Sequence, residues 1–322
     1  MSDNEHDDRR DDRPDDKDKQ CIACGWPLVS YCYNSHVRLI YSGDDRGVWK
    51  IGTDMVLKER GPEEGLRSER EIAKLLVQCP EIPAPKLLHD WVDRRGRYFI
   101  LEEQVQGEPL HKVWSKLSAG QKTAIADQVV QACQKLRTFT SQSIESVNGG
   151  PCYPPFIHGS RSRTQGPFHS DLDFQTAVSG GFRGPLNRGP PREAVERLME
   201  RMPASKPYVL SHSDLHQANI IVKNGSLSGI IDWEYAGYYP IWYEYIRAAR
   251  GGFNKDDRDW KALLRERFEA HGEGHPNALQ WWDDYLALKE YPILGPWGRE
   301  LLYQLLAPSA YRSVRSVRSK SL

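Results

Sequence analysis

No stretch of this chain approaches the roughly 18 consecutive apolar residues that a membrane-spanning helix needs, so no membrane partner is expected. The first twenty residues, MSDNEHDDRRDDRPDDKDKQ, lack the apolar core of a secretory leader and are almost wholly charged or polar. A cytoplasmic location is therefore expected. Net charge is also missing, with 44 Lys and Arg against 44 Asp and Glu. That balance gives no electrostatic footprint for nucleic acid. Cysteine is sparse, with six residues at 21, 24, 32, 79, 133 and 152. Cys21 and Cys24 form a C-x-x-C, but no second such pair and no spaced histidine pair completes a zinc site. Reduced, unpaired thiols are the expectation.

With 322 residues, 39% of them apolar and 27% charged, the chain is an ordinary globular sequence long enough for two lobes. Residues 1–30 read as a disordered charged tail, and residues 309–322, from the end of YRSVRSVRSKSL, as a basic one. Between them, HVRLIYSG, GVWKIGTD and MVLKE are short β-branched and aromatic runs separated by turn residues, which predicts strands. GLRSEREIAKLLVQC then carries Ile72, Leu75, Leu76 and Cys79 at helical spacing. EIPAP ends that helix, because proline cannot continue it. KLLHDWVD and RYFILEEQV follow as a hairpin about Arg94-Arg95-Gly96.

Past Gly107 the pattern turns helical. Ser118 and Gln121 form a capping box ahead of the stripe Ile125, Val129, Ala132, Cys133 and Leu136. Residues 148–191, rich in Gly and Pro, read as an irregular surface insertion. REAVERLMERM is a further helix, and the sequence from about 240 is aromatic and helical. The expected fold is α+β and bilobal: a small mixed N-lobe with an antiparallel sheet over 31–106, and a larger, mainly helical C-lobe over 107–308.

One stretch, SHSDLHQANIIVKNGSLSGIIDWE, concentrates the chemistry. Asn224-Gly225 between two β-rich runs predicts a tight hairpin. Such a hairpin brings Asn219, before its first strand, beside Asp232, at the end of its second, with Asp214 close by. Asp214 suits the deprotonation of an attacking hydroxyl, and Asn219 and Asp232 are hard oxygen donors suited to magnesium. His212, grouped with Asp214 at the catalytic loop, reads as the residue that fixes the loop, and His216 as a loop-packing residue. A near-copy, HSDLDFQTAV from His169 to Val178, has Thr176 in place of the Asn and no hairpin after it, so it is not an equivalent site.

The segment from Ser211 to Pro240 resembles the H-G-D-x-x-x-x-N…I-D-W-E-x-A-G-x-x-P signature of the aminoglycoside phosphotransferase and choline-kinase-like family. The resemblance covers about residues 36–250. It implies a protein-kinase-like fold, ATP and magnesium, and transfer of phosphate to a hydroxyl of a small molecule. It also implies Lys58 on the third strand at the α/β-phosphates, Glu69 holding its ammonium, and Glu103 and Val105 on the nucleotide side. The implied partners are a nucleotide and a hydroxylated acceptor, with a monomer or weak dimer expected. Two departures stand out. The glycines of YSGDDRGVWKIG form no G-x-G-x-x-G, and Ser213 stands where the family has glycine. A positive φ at that serine would cost about 1 kcal/mol. The alternatives are a kinase-like scaffold with weak catalysis, or a protein kinase. I-D-W in place of D-F-G and the lack of an A-P-E segment weigh against the latter.

Overall fold

The alternating runs near the N-terminus do form strands. The computed structural model describes residues 36–43, 45–61, 68–152, 165–182, 189–252 and 254–307. Two compact units divide the chain: Met1–Pro62 with Leu88–Gln104, and Glu63–Leu87 with Val105–Leu322. The first holds an antiparallel sheet of β1 (Val37–Gly43), β2 (Arg46–Ile51), β3 (Met55–Arg60), β4 (Leu87–Val92) and β5 (Tyr98–Glu103), in the order β1-β2-β3-β5-β4. The turn between β4 and β5 is set by Asp93, whose carboxylate accepts the amides of Arg95 and Arg97 at 2.8 and 2.9 Å. Register places Lys58 opposite Ile100 and Val56 opposite Glu102. Side chains two residues apart share a sheet face, so Lys58 and Glu102 are diagonal neighbours on one face.

The second unit takes α1 (Ser68–Leu76), which the sequence reading had placed in the N-lobe. Ile72 and Leu76 are buried on it, and Glu69 is 3% exposed. Glu71, two residues on and about 200° around the helix, instead pairs with Lys74 at the surface. The unit continues through β6 (Glu108–Pro109), α2 (Leu110–Val113), α3 (Ala119–Leu136), β7 (Thr140–Ser141), β8 (Glu145–Ser146), α4 (Asp171–Gly180) and α5 (Arg192–Glu200). After these come β9 (Tyr208–Ser211), β10 (Ile220–Lys223), β11 (Ser226–Ile230), β12 (Gly237–Pro240), α6 (Tyr243–Ala249), α7 (Lys255–Ala270), α8 (Pro276–Lys289) and α9 (Pro296–Leu306). Two small sheets, β11-β10-β6 and β7-β9-β12-β8, lie within this helical unit. The Ser118–Gln121 capping box forms, and the whole α3 stripe is buried. The aromatic run after Gly237 is packing material, with Tyr239, Trp242, Tyr243 and Tyr245 all buried.

The region read as an irregular insertion contains order. Ser170 caps α4 by accepting the Asp173 amide at 3.0 Å, so the HSDLDFQTAV copy opens a helix with Phe174 and Val178 inward. Ser170 is the N-cap and Asp171 and Asp173 form an acidic first turn, which a helix N-terminus favours. The two charged tails and the Cys21–Cys24 pair lie outside the described residues. Cys79, Cys133 and Cys152 are free thiols. Burial pushes the Cys152 thiol up to about 12, so it stays protonated and inert near neutral pH.

His275, the residue before α8, has a buried Nε2 without a hydrogen-bond partner. Burial, reinforced by the nearby Arg137 charge, lowers its pKa to about 4. The unfolded chain binds this proton near the ordinary value of about 6.5. Its contribution to stability is thus full above pH 6.5 and is lost as pH falls toward 4. In His275→Asn, melting temperature is expected to fall less between pH 7 and pH 5 than in the unaltered protein. Thermal denaturation at the two pH values measures this.

Candidate active site

The hairpin at Asn224-Gly225 forms as its letters predict. Both residues have positive φ, 54° and 77°, and β10 pairs with β11 from Ile220–Ile230 to Lys223–Ser226. Its base is tied to the loop before it. Ile231 donates its amide to Asn219 O at 2.9 Å, and His212 Nε2 meets Ile231 O at 3.0 Å. The loop from His212 to Asn219 and the residue preceding Asp232 are thereby held as one piece. Gly107 supports the arrangement from β6. Its φ is 136°, and a Cβ there would stand 2.4 Å from Val222 O, so only glycine lets β6 lie against β10.

His212 is fully buried and packs edge-on against Trp233. Its Nδ1 accepts the Asp214 amide at 3.2 Å, so the ring hydrogen sits on Nε2 and goes to Ile231 O. Burial holds its pKa below the ordinary histidine value, against the pull of Asp214 and the Ile231 carbonyl. It is a neutral strut. His216 is ordered in the same way. Its Nδ1 accepts the Ala218 amide at 3.2 Å, which leaves Nε2–H to donate to Asp214 Oδ2 at 3.2 Å. The sequence reading made His216 a packing residue. The structure puts it on the carboxylate itself.

Asp214 has two differently employed oxygens. Oδ2 takes His216 and also the Asn219 amide nitrogen at 3.0 Å. Oδ1 takes no hydrogen bond among the described residues, which leaves it open to an incoming hydroxyl. Burial pushes the Asp214 pKa up, but the His216 hydrogen bond and nearby positive charge, that of Arg247 included, outweigh it. The carboxyl therefore lies below its ordinary range and is ionised at neutral pH. Asn219 spends its Nδ2 on Asp214 O and Oδ2, both at 3.0 Å. Its carbonyl Oδ1 is thus the atom left over. Asp232 has a left-handed backbone, φ 64° and ψ 67°, and the Ile231 amide bonded to Asn219 O sets it next to Asn219. Among the described residues no cluster of three or more His, Cys, Asp or Glu could hold a metal by itself. The donor set is two hard oxygens, which fits a magnesium ion whose remaining ligands are phosphates and water.

Ser213 does have a positive φ, 70°, and the structure shows what holds it there. Both oxygens of Glu244 accept its amide at 3.1 Å, Glu244 Oε2 also accepts the His212 amide, and Arg247 Nε donates to Ser213 O at 3.1 Å. Glu244 is 2% exposed. Burial raises its pKa, against the two loop amides and the charges of Arg137 and Arg247. From the other side, Leu215 O accepts Trp260 Nε1 at 2.9 Å, and Asp257 Oδ1 accepts the Gln217 amide at 3.3 Å. Ser213→Gly is expected to stabilise the protein by about 1 kcal/mol, since glycine adopts this φ without strain. A rise in urea midpoint at constant m-value measures it.

The sequence residues meet the structure unevenly. His212, Asp214, Asn219 and Asp232 are brought together. Lys58 and Glu69 fall in different compact units. Within its sheet, Lys58 is 7% exposed, with Nζ 3.1 Å from Glu102 Oε2. Glu102 was missed, although the alternation in FILEE sets it on the face of Ile100, across from Lys58. Glu69 rides on α1, which packs against the turn Trp233–Tyr235 that follows Asp232. Glu103 ends β5. Val105 lies so close to Gly229 of β11 that a Cβ there would come 2.6 Å from it. Glu244 and Arg247 were also missed. Their signal was a charged pair within the aromatic run IWYEYIRAA, where an acid facing the core needs donors.

Residues 36–285 match the family model described as Phosphotransferase enzyme family. Among solved structures, the chain is similar to the streptomycin–ATP ternary complex of APH(2'')-IIa, with 15% identity over 80% of this chain and 86% of that one, TM-score 0.56. It is also similar to a thermostable mutant of aminoglycoside phosphotransferase APH(4)-Ia with AMP-PNP and hygromycin B: 16% identity, 89% and 94% coverage, TM-score 0.56. A third is the GDP complex of aminoglycoside 2'-phosphotransferase-IIIa, at 17% identity, 84% and 91% coverage, TM-score 0.52. Identities this low speak for the fold alone. Among the described residues, no helix is long and apolar enough to cross a membrane.

Proposed function

The chain belongs to the phosphotransferase enzyme family, and from that premise we propose that it moves the γ-phosphate of ATP to a hydroxyl of a small molecule. The observation that carries the reading is the unequal use of the Asp214 oxygens. Oδ2 is fixed by His216 and Asn219, while Oδ1 stays open. In the proposed step the acceptor oxygen bonds to the γ-phosphorus as the bond from phosphorus to the β,γ-bridging oxygen breaks. The hydroxyl proton goes to Asp214 Oδ1, and ADP leaves with the bridging electron pair. His212 and Glu244 keep the loop in shape, and the depressed Asp214 pKa keeps the base ionised before the step.

Asn219 Oδ1 and the Asp232 carboxylate are the proposed magnesium ligands, and the ion would neutralise charge on the transferring phosphates. Lys58, Glu69, Glu103 and Val105 are proposed on the nucleotide side, with Lys58 at the α/β-phosphates. Glu102, 3.1 Å from the Lys58 ammonium, steadies it within the sheet. The proposed location is cytoplasmic.

Two measurements test this. Mg–ATP should raise the melting temperature, and a screen of hydroxylated metabolites should find acceptors that release ADP. A shift without turnover of any acceptor would favour a nucleotide-binding scaffold. The absence of both a shift and turnover would overturn the proposal.

A further inference from the structure

Arg247 stands one turn after Glu244 on α6 and presents an exposed side chain. Its Nε is anchored to the Ser213 carbonyl at 3.1 Å, the residue before Asp214. Among the described residues it has no carboxylate within ion-pairing distance. Arg137, Arg197, Arg250 and Arg267 of the same unit each have one, namely Glu273, Glu193, Asp283 and Asp127. The carboxylates near Arg247 are already employed. Glu244 accepts the His212 and Ser213 amides, Asp257 accepts the Gln217 amide, and Oδ2 of Asp214 takes His216 and Asn219. A second cation adjoins, since Lys261 Nζ donates to Arg247 O at 3.1 Å. The result is a guanidinium fixed to the residue before the base, with its two amino groups uncommitted and its charge felt by Asp214.

A guanidinium offers a planar fork of donors that matches a carboxylate or a phosphate in bidentate fashion. We propose that Arg247 recognises an anionic group on the acceptor, so that the molecule phosphorylated is a hydroxylated acid bearing a carboxylate or a phosphate. The acid group would dock on Arg247 while the hydroxyl points to Asp214 Oδ1, a two-point fit that sets which hydroxyl reacts. The inference rests on the phosphotransferase reading and narrows its acceptor class.

The test is ADP release across a panel of hydroxylated compounds sorted by charge: carboxylates, phosphate esters, neutral polyols and amino alcohols including aminoglycosides. The unaltered protein and Arg247→Gln are run side by side. Acidic acceptors should be the substrates, and Arg247→Gln should raise their KM about 10–100-fold, the worth of a charge-assisted pair, with KM for ATP unchanged. Whether carboxylates or phosphate esters respond identifies the anion. Turnover confined to neutral or cationic acceptors would overturn the inference and leave the phosphotransferase reading standing. So would a variant that lowers kcat alone, because Arg247 would then act only through the Ser213 loop. A raised KM for ATP would assign the arginine to the nucleotide and overturn it as well. If no compound elicited ADP release, the phosphotransferase reading would fall, and this inference with it.

Discussion

Asp214→Asn is expected to lower kcat by about 10²–10⁴-fold, the usual share of a general base, while KM for ATP and the melting temperature change little. The geometry makes this substitution discriminating. His216 Nε2 and Asn219 Nδ2 both donate to a single oxygen, Oδ2. An asparagine can offer its one carbonyl oxygen to those donors and turn its NH₂ toward the acceptor. Loop architecture then survives, and only the proton-accepting atom is lost. Steady-state kinetics with a responding acceptor, together with thermal denaturation, give both numbers. An unchanged kcat would remove Asp214 from the role of base.

Glu244→Ala is expected to have the largest effect on the folded state, a loss of roughly 3 kcal/mol accompanied by a fall in kcat. No other side chain among the described residues accepts the His212 and Ser213 amides, and Glu244 is 2% exposed. Removing it orphans two buried amides and frees a serine held at φ 70°. Because Asp214 follows directly, the loop should lose its alignment as well as its stability. Urea denaturation gives the energy and turnover gives the alignment. Glu193→Ala, an exposed partner of Arg197, is the control, and its change should stay within about 1 kcal/mol. A Glu244→Ala protein as stable and active as the original would show that the loop holds its own shape.

What could be read in the sequence divides by the range of the interaction. Asn224-Gly225 encodes its turn locally, so the approach of Asn219 and Asp232 could be foreseen from letters 13 apart. Ser213 was legible as a departure, and its positive φ follows from the glycine it replaces. The groups that clamp it were not. Glu244 and Arg247 lie 31 and 34 residues beyond Ser213, in a run whose aromatic residues masked one buried acid. Glu102 depended on strand register, which adjacency in sequence does not fix. The HSDLDFQTAV copy departs from the HSDLHQAN loop at Thr176, and it opens α4. Its helix was hidden because Ser-Asp reads as loop or cap equally well until the chain after it is seen.

Ile231 holds an N–H bond to Asn219 and a carbonyl bond from His212. An apolar residue with no chemistry of its own thus joins the carboxylate proposed for proton transfer to the one proposed for the ion. Turning the Asp232 segment outward would break both bonds, a cost of about 2 kcal/mol, and would release His212 from its strut. An off state made by flipping that segment, as a molecular toggle, is therefore disfavoured in this protein.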